Sequence, residues 1–372
     1  MKKVFLDGNN PQALSLKIIA VLPSRNQEII KKRFGIEDDK PKTLEAVGQT
    51  YKITRERVRQ IIESALKTIK KQPISEIIGE FANLSKSLLK ESGGLEEERE
   101  FLKKVDKALN ANRKSGEKGN LSAIKFLLIL SPDFVLEEES ESNHSFWHLR
   151  EISKETIIKN IKALEKYFKN KKRACLLDEI LAWAKKNISA GINEEELEAY
   201  FRISKKIGTN PFGEYGLFTL AEIDPVGTRE KAYLLMKHLK EPMHFSEITE
   251  RLNEINKLPV RSHLTSHSWQ KKVCIQTVHN ELIRDPRFVL IGRGIYALRE
   301  SGYKPGKIVD IIQDVLKEAG KPLEQEDIIK EVKKRRIAKD NTIILNLHNK
   351  QYFKKLPDKR YTLVKPYKIL EV

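Results

Sequence analysis

Apolar residues recur at Val58, Ile61, Ile62, Ala65, Leu66 and Ile69, the i, i+3, i+4, i+7 spacing that lays one buried stripe along a helix. Turning the helix about that stripe leaves Glu56, Arg57, Arg59, Gln60 and Glu63 on the open side, with Arg55 projecting from the first turn. Thr43 and Thr54 each stand just before a helix-forming run, where a hydroxyl caps a first turn. Gly48 and the Thr-Tyr-Lys-Ile segment 50–53 supply the break between them. Residues 43–71 therefore predict two helices joined by a tight turn. Before them, Leu-Ser-Leu-Lys-Ile-Ile-Ala-Val-Leu (14–22) is a short amphipathic stretch, and after them Pro73 ends the second helix. From 74 to about 110 the pattern is helical and heavily charged, broken by Ser-Gly-Gly at 92–94. A loop-like stretch at 112–120 separates it from Phe-Leu-Leu-Ile-Leu (126–130), and a further helix is predicted over 150–170.

From residue 175 the rhythm changes to helices followed by a short aromatic, glycine-bearing stretch. Cys-Leu-Leu-Asp-Glu-Ile-Leu-Ala-Trp (175–183) starts one helix with Leu176, Leu177, Ile180, Leu181 and Trp183 mostly inward, and Asn-Glu-Glu-Glu-Leu (193–197) starts the next. Residues 210–220 then read as paired strands. Residues 228–300 repeat the layout, with three helices and an alternating run, 287–300, about the Gly-Arg-Gly turn at 292–294. The C-terminus echoes this unit: Phe288, Tyr296 and Leu298 have the same spacing as Phe353, Tyr361 and Leu363, and 241–248 aligns with 321–328. An internal repeat argues for a string of similar modules. The predicted fold is mainly α, a string of helix-turn-helix and winged-helix modules with short β wings. Its expected units are a helix-turn-helix at 1–74, a helical connecting region at 75–171, a winged-helix-like unit at 172–222 and winged helices at 225–300 and 303–366.

Charge narrows the partner. The 372 residues carry a formal net charge of +18, which favours a polyanion over a small metabolite. Apolar residues at 40% suffice for packed cores. Cys175 and Cys274 lie a hundred residues apart, which suggests neither a disulfide framework nor a metal cluster and fits a reducing cytoplasm. The N-terminus turns polar after Met-Lys-Lys, unlike a signal peptide, and Ala-Ile-Lys-Phe-Leu-Leu-Ile-Leu (123–130) is too short to cross a bilayer. The acidic run 137–141 reads as a solvated loop, and Pro132-Asp133 lacks the Glu-x-Lys that would extend it into a nuclease motif. No phosphate-binding glycine loop occurs, and 292–294 has the wrong context for a dinucleotide site. His263, His267 and Cys274 lack a matching ligand pair for zinc. The expectation is a protein without enzymatic activity, cofactor or metal. Arg293 in one wing and Lys359 and Arg360 in the other are candidate nucleic-acid contacts.

Residues 22–36 (LPSRNQEIIKKRFGI), 43–48 (TLEAVG) and 54–61 (TRERVRQI) resemble region four of the sigma-seventy family, the promoter-binding C-terminal domain of bacterial sigma factors. The resemblance implies that Arg55, Glu56 and Gln60 read an upstream promoter hexamer such as TTGAC. It implies that Arg25, Arg33, Thr43, Thr54, Arg57 and Arg59 hold phosphates or face neighbouring proteins. Asn26 departs from the family, which usually has an acid there, and so does Ala46, where a second Glu is common. Residues 241–248 and 278–298 resemble the HARE-type winged helix also seen in the delta subunit of bacterial RNA polymerase. Together these imply a cytoplasmic transcription factor whose partners are double-stranded promoter DNA and RNA polymerase core, with no membrane and no small-molecule substrate. A second reading is a polymerase-docking accessory subunit that places Leu14, Ile18 and Ile29 against a polymerase flap. A third is a DNA-targeting protein of a nuclease or modification system. The promoter-melting region two of the family is not expected, since about twenty residues precede the region-four stretch and Trp147, Trp183 and Trp269 are scattered singly.

Overall fold

The computed structural model describes residues 10–109, 120–257, 264–303 and 306–364. The chain opens with four helices, α1 (Pro11–Ile19), α2 (Ser24–Phe34), α3 (Leu44–Tyr51) and α4 (Arg55–Ile69). Side chains cap three of them: Asn10 accepts from the Ala13 amide at 2.7 Å, Thr43 from Ala46 at 3.1 Å and Thr54 from Arg57 at 3.2 Å. Each satisfies one of the amides a first turn leaves unpaired. The α3–α4 turn departs from expectation in one respect. Gly48 lies inside α3, and the chain is turned by Lys52, whose φ is 53°. Gly48 is instead a point of close approach, since a Cβ there would stand 2.6 Å from the Ile53 carbonyl oxygen. A short helix, α5 (Ile74–Ile77), follows.

The rest of the chain repeats one order, helix–strand–helix–helix–strand–strand, four times. The first pass is α6 (Gly79–Glu91), β1 (Leu95–Glu97), α7 (Glu98–Leu109), α8 (Leu121–Leu130), β2 (Phe134–Glu137) and β3 (Phe146–Leu149). The second is α9 (Lys154–Lys171), β4 (Cys175–Leu176), α10 (Leu177–Asn187), α11 (Glu194–Ile203), β5 (Ile207–Thr209) and β6 (Glu214–Leu217). The third is α12 (Thr228–Leu239), β7 (Met243–His244), α13 (Phe245–Ile255), α14 (Ile275–Arg284), β8 (Phe288–Leu290) and β9 (Ile295–Leu298), with a 3-10 turn at His267–Gln270 before α14. In each of these the last strand lies between the other two. The fourth is α15 (Ile308–Ala319), α16 (Gln325–Arg335), α17 (Asp340–Leu347), β10 (Phe353–Lys355) and β11 (Tyr361–Leu363), its first strand reduced to a bridge from Leu323 to Tyr361.

The fold is thus mainly α, built of helix-turn-helix and winged-helix modules with small antiparallel sheets. The sequence repeat has a physical meaning: Phe288 pairs with Leu298 and Phe353 with Leu363, the same register in two hairpins. Two expectations differ from the structure. The stretch 75–171, read as a helical connection, contains the three-stranded sheet β1-β3-β2, and α9 leads the second winged module rather than ending the connection.

The described residues form two compact units, α1 to α11 in one and α12 to α17 in the other. In the first unit, the four-helix domain and the first winged module share one apolar core. Helix α8 is the joint. Ala123, Ile124, Phe126, Leu127, Leu128 and Leu130 are all buried, and α8 packs on α1, α2 and α7. The Phe126 ring lies 5.0 Å from that of Phe34, the Asn120 side chain donates to the Ile36 carbonyl, and the Ser122 amide donates to Asp39 at 2.8 Å. Each large apolar side chain so covered contributes about 1.5–3 kcal/mol. Leu14, Ile18 and Ile29, read as a face for a polymerase flap, lie buried in this core. Buried there, they offer no docking surface.

The first and second winged modules are joined by a buried ion cluster. The fully buried Glu96 on β1 accepts from Arg202 on α11 at 2.7 and 2.9 Å, from Lys104 on α7 at 2.6 Å and from Ser92 at 3.1 Å. Glycine is required beside it: Gly93 has φ 70°, and a Cβ there would fall 2.2 Å from Glu196 Cγ. The acidic run 137–141 is not a free loop either. Glu137 lies in β2 and pairs with Lys154, Glu139 pairs with Lys205, and the Lys205 amide donates to Ser142 at 2.9 Å.

Candidate nucleic-acid interface

Helix α4 buries Val58, Ile62, Ala65 and Ile69, with Ile61 and Leu66 half-buried beside them. The stripe fixes the rotation of the helix, so Thr54, Arg55, Glu56, Arg57, Arg59, Gln60 and Glu63 are all exposed on one side. Arginine, glutamate and glutamine at the start of such a helix offer hydrogen bonds suited to guanine, cytosine and adenine edges. Thr43 is exposed at the start of α3. Both capping threonines accept a backbone hydrogen bond and keep their hydroxyl protons for a phosphate oxygen.

The exposed charges are not equivalent. Arg59 donates to Glu56 at 2.6 and 2.9 Å and also pairs with Glu63. Its guanidinium holds the Glu56 carboxyl below the usual carboxylate range, and Glu56 in turn raises the Arg59 pKa. Gln60 donates to Glu56 at 3.4 Å, and Arg57 donates to the Gln60 side-chain oxygen at 3.3 Å. Glu56 therefore sits at the centre of a hydrogen-bonded row that sets its orientation, while Arg55 stands outside that row. Arg25 donates to the Tyr51 carbonyl at 3.5 Å and the half-buried Arg33 donates to the Lys42 carbonyl at 2.8 Å. These two arginines brace the chain at either end of α3.

The wing candidates lie elsewhere. Arg293 is exposed between Gly292 and Gly294 at the tip of the β8–β9 hairpin. Lys359, with φ 67°, and Arg360 lie at the tip of β10–β11, and Arg360 pairs with Asp358. The open face of α14 was not assigned from the sequence. Gln276, Thr277, Asn280 and Arg284 are exposed there, opposite the buried Val278 and Leu282. Their spacing about those two apolar positions was the available signal. His263 lies outside the described residues, so its position relative to His267 and Cys274 is not described. No described helix is long and apolar enough to cross a membrane.

Residues 18–71 match the family model for sigma-70, region 4. RNA polymerase sigma factor SigA of Clostridium acetobutylicum is 42% identical over 55 residues, 15% of this chain and 15% of that protein. SigA1 of Synechococcus elongatus is 34% identical over 64 residues, covering 17% and 16% of the two chains. SigA of Lactococcus lactis subsp. cremoris is 35% identical over 65 residues, 18% of each. No solved structure matches. The chain thus spans less than a fifth of the length of these relatives, and the part it shares with them is a sigma-70 region 4 domain carrying the α3–α4 helix-turn-helix.

Proposed function

We propose that the chain binds duplex promoter DNA through α3 and α4 and acts in transcription initiation with RNA polymerase core, as a cytoplasmic factor without a catalytic step. The observation that carries this reading is the open face of α4, where Arg55, Glu56 and Gln60 stand exposed behind a capped N-terminus within the stretch matched to region 4. In this reading Arg55, Glu56 and Gln60 contact base edges. Arg57, Thr54 and Thr43 hold phosphates, Arg59 orients Glu56, and Arg25 and Arg33 brace the helix-turn-helix. Affinity then comes largely from phosphate neutralisation and discrimination from α4. The third winged module, with its resemblance to the HARE type, adds a contact through α14 and Arg293. The docking-subunit alternative loses the surface named for it, since Leu14, Ile18 and Ile29 are buried in the shared core. Titration of the full chain at fixed salt on two duplexes that differ only in a hexamer containing TTGAC tests the proposal. Tighter binding to the hexamer is expected, by about fivefold or more if even one bidentate base contact forms, and equal affinity would overturn it.

A further inference from the structure

The four winged modules differ in charge along the third helix and the closing hairpin. From the start of that helix to the end of the last strand, the first module (121–149) has one Lys against five acids. The second (194–217) has three basic residues against five acids, the third (275–298) three against two, and the fourth (340–363) five against two. In the first module no residue of α8 is exposed. In the second, α11 packs on β1 and spends Arg202 on Glu96. In the fourth both acids are already paired, Asp340 with Lys333 and Asp358 with Arg360. Lys350, Lys354, Lys355 and Lys359 remain exposed and make no ion pair among the described residues.

These lysines follow α17 and run along the hairpin: Lys350 precedes β10, Lys354 and Lys355 lie on it, and Lys359 lies in the turn into β11. Lys355 stands 5.5 Å from the centre of the Tyr361 ring. On α17, Asn341, Thr342 and Leu345 are also exposed. Protein interfaces are depleted in lysine and rich in aromatic and arginine anchors. Lysines spaced along a hairpin instead suit a backbone with one charge about every 1.7 Å along its axis. We propose that the fourth winged module is a second duplex-DNA contact surface, gripping phosphates through Lys350, Lys354, Lys355 and Lys359 without reading sequence. This rests on the DNA-binding reading above and adds a site separate from α4.

The test is the salt dependence of binding by the full chain with all four lysines changed to glutamine, on the hexamer duplex and on the scrambled one. All four are exposed, so the fold is retained, as circular dichroism will check. The log–log slope should fall by roughly 2–4 on both duplexes, at about 0.9 for each phosphate no longer neutralised, with the affinity ratio between duplexes unchanged. A control changes Lys162, Lys166, Lys185 and Lys186, exposed on the second module, and should leave the slope as it was. An unchanged slope in the first variant overturns the proposal and leaves these lysines to an acidic protein partner. An equal drop in the control also overturns it, by reducing the effect to net charge. If the two duplexes bind equally from the outset, the base-reading proposal for α4 fails, while a fall in slope on both still supports this surface.

Discussion

Helices α4 and α8 each close a helix-turn-helix, and each stands where such a fold meets DNA. One is open and the other is not. Along α4, four buried residues in fifteen leave a continuous polar face; along α8, six of ten are buried and none is exposed. A helix that is apolar nearly all round belongs in a core, and α8 is the centre of the core joining two modules. Place in a motif therefore does not decide the role of a helix. The open face does, and it is set by whether polar residues occupy the turns between the apolar ones.

The comparison breaks most visibly at α8. Phe126→Ala should cost about 3–5 kcal/mol, the usual cost of deleting a buried aromatic ring. If the core is shared, hydrogen exchange should show amides of α1–α4 and of α6–α7 losing protection together. Loosening of one group alone would mean two separate cores. Next in size is Glu96→Ala, which takes from the half-buried Arg202 its two hydrogen bonds to Glu96 and should cost about 3 kcal/mol in denaturant unfolding. Burial pushes the Glu96 carboxyl up, but its hydrogen bonds and charge interactions with Arg202 and Lys104 outweigh this, and its pKa is lowered in the folded state. The unfolded chain takes up the proton first, at about pH 4.3. The stabilising contribution is therefore complete well above that value and is lost as the pH falls through the folded-state pKa. The wild-type chain should lose more stability on acidification than the Ala variant, and parallel pH profiles would show that Glu96 plays no part in the acid response.

At α4 the effects belong to binding. Arg55→Ala should cost about 1–3 kcal/mol on the hexamer duplex and much less on a scrambled one. Lys125→Ala, which removes the cation of α8, should change neither affinity. A loss from Lys125 as large as that from Arg55 would erase the distinction between the two helices. The smallest expected effect is Thr54→Ala, about 1 kcal/mol of stability through the missing cap. Thermal unfolding should show most of it restored by Thr54→Ser, which keeps the hydroxyl.

What the sequence disclosed was short in range. The caps at Thr43 and Thr54 and the stripe on α4 depend on residues three or four apart, and they stand as expected. The Phe–Tyr–Leu spacing likewise carried the hairpin register into both C-terminal wings. The first sheet was illegible because its strands are very short and β1 is Leu-Glu-Glu, whose acids resemble an exposed helix start. A buried Glu96 becomes intelligible once Arg202, 106 residues away, is seen beside it with Lys104. Gly48 looked like a break because glycine commonly is one, whereas its constraint comes from the carbonyl across the turn. The open face of α4 was readable, but the Glu56–Arg59–Glu63 row, which separates Arg59 from Arg55, required the side-chain geometry.

The shared core also fixes where the chain can be cut. The match to region 4 ends at residue 71, which invites truncation just before α6, yet that boundary runs through apolar packing. A fragment of the first four helices would expose Leu14, Phe34 and their neighbours where α8 had lain, and such a patch favours concentration-dependent self-association. The smallest soluble piece containing α4 should therefore continue through β3, and any screen for shorter fragments should find precipitation before it finds loss of binding.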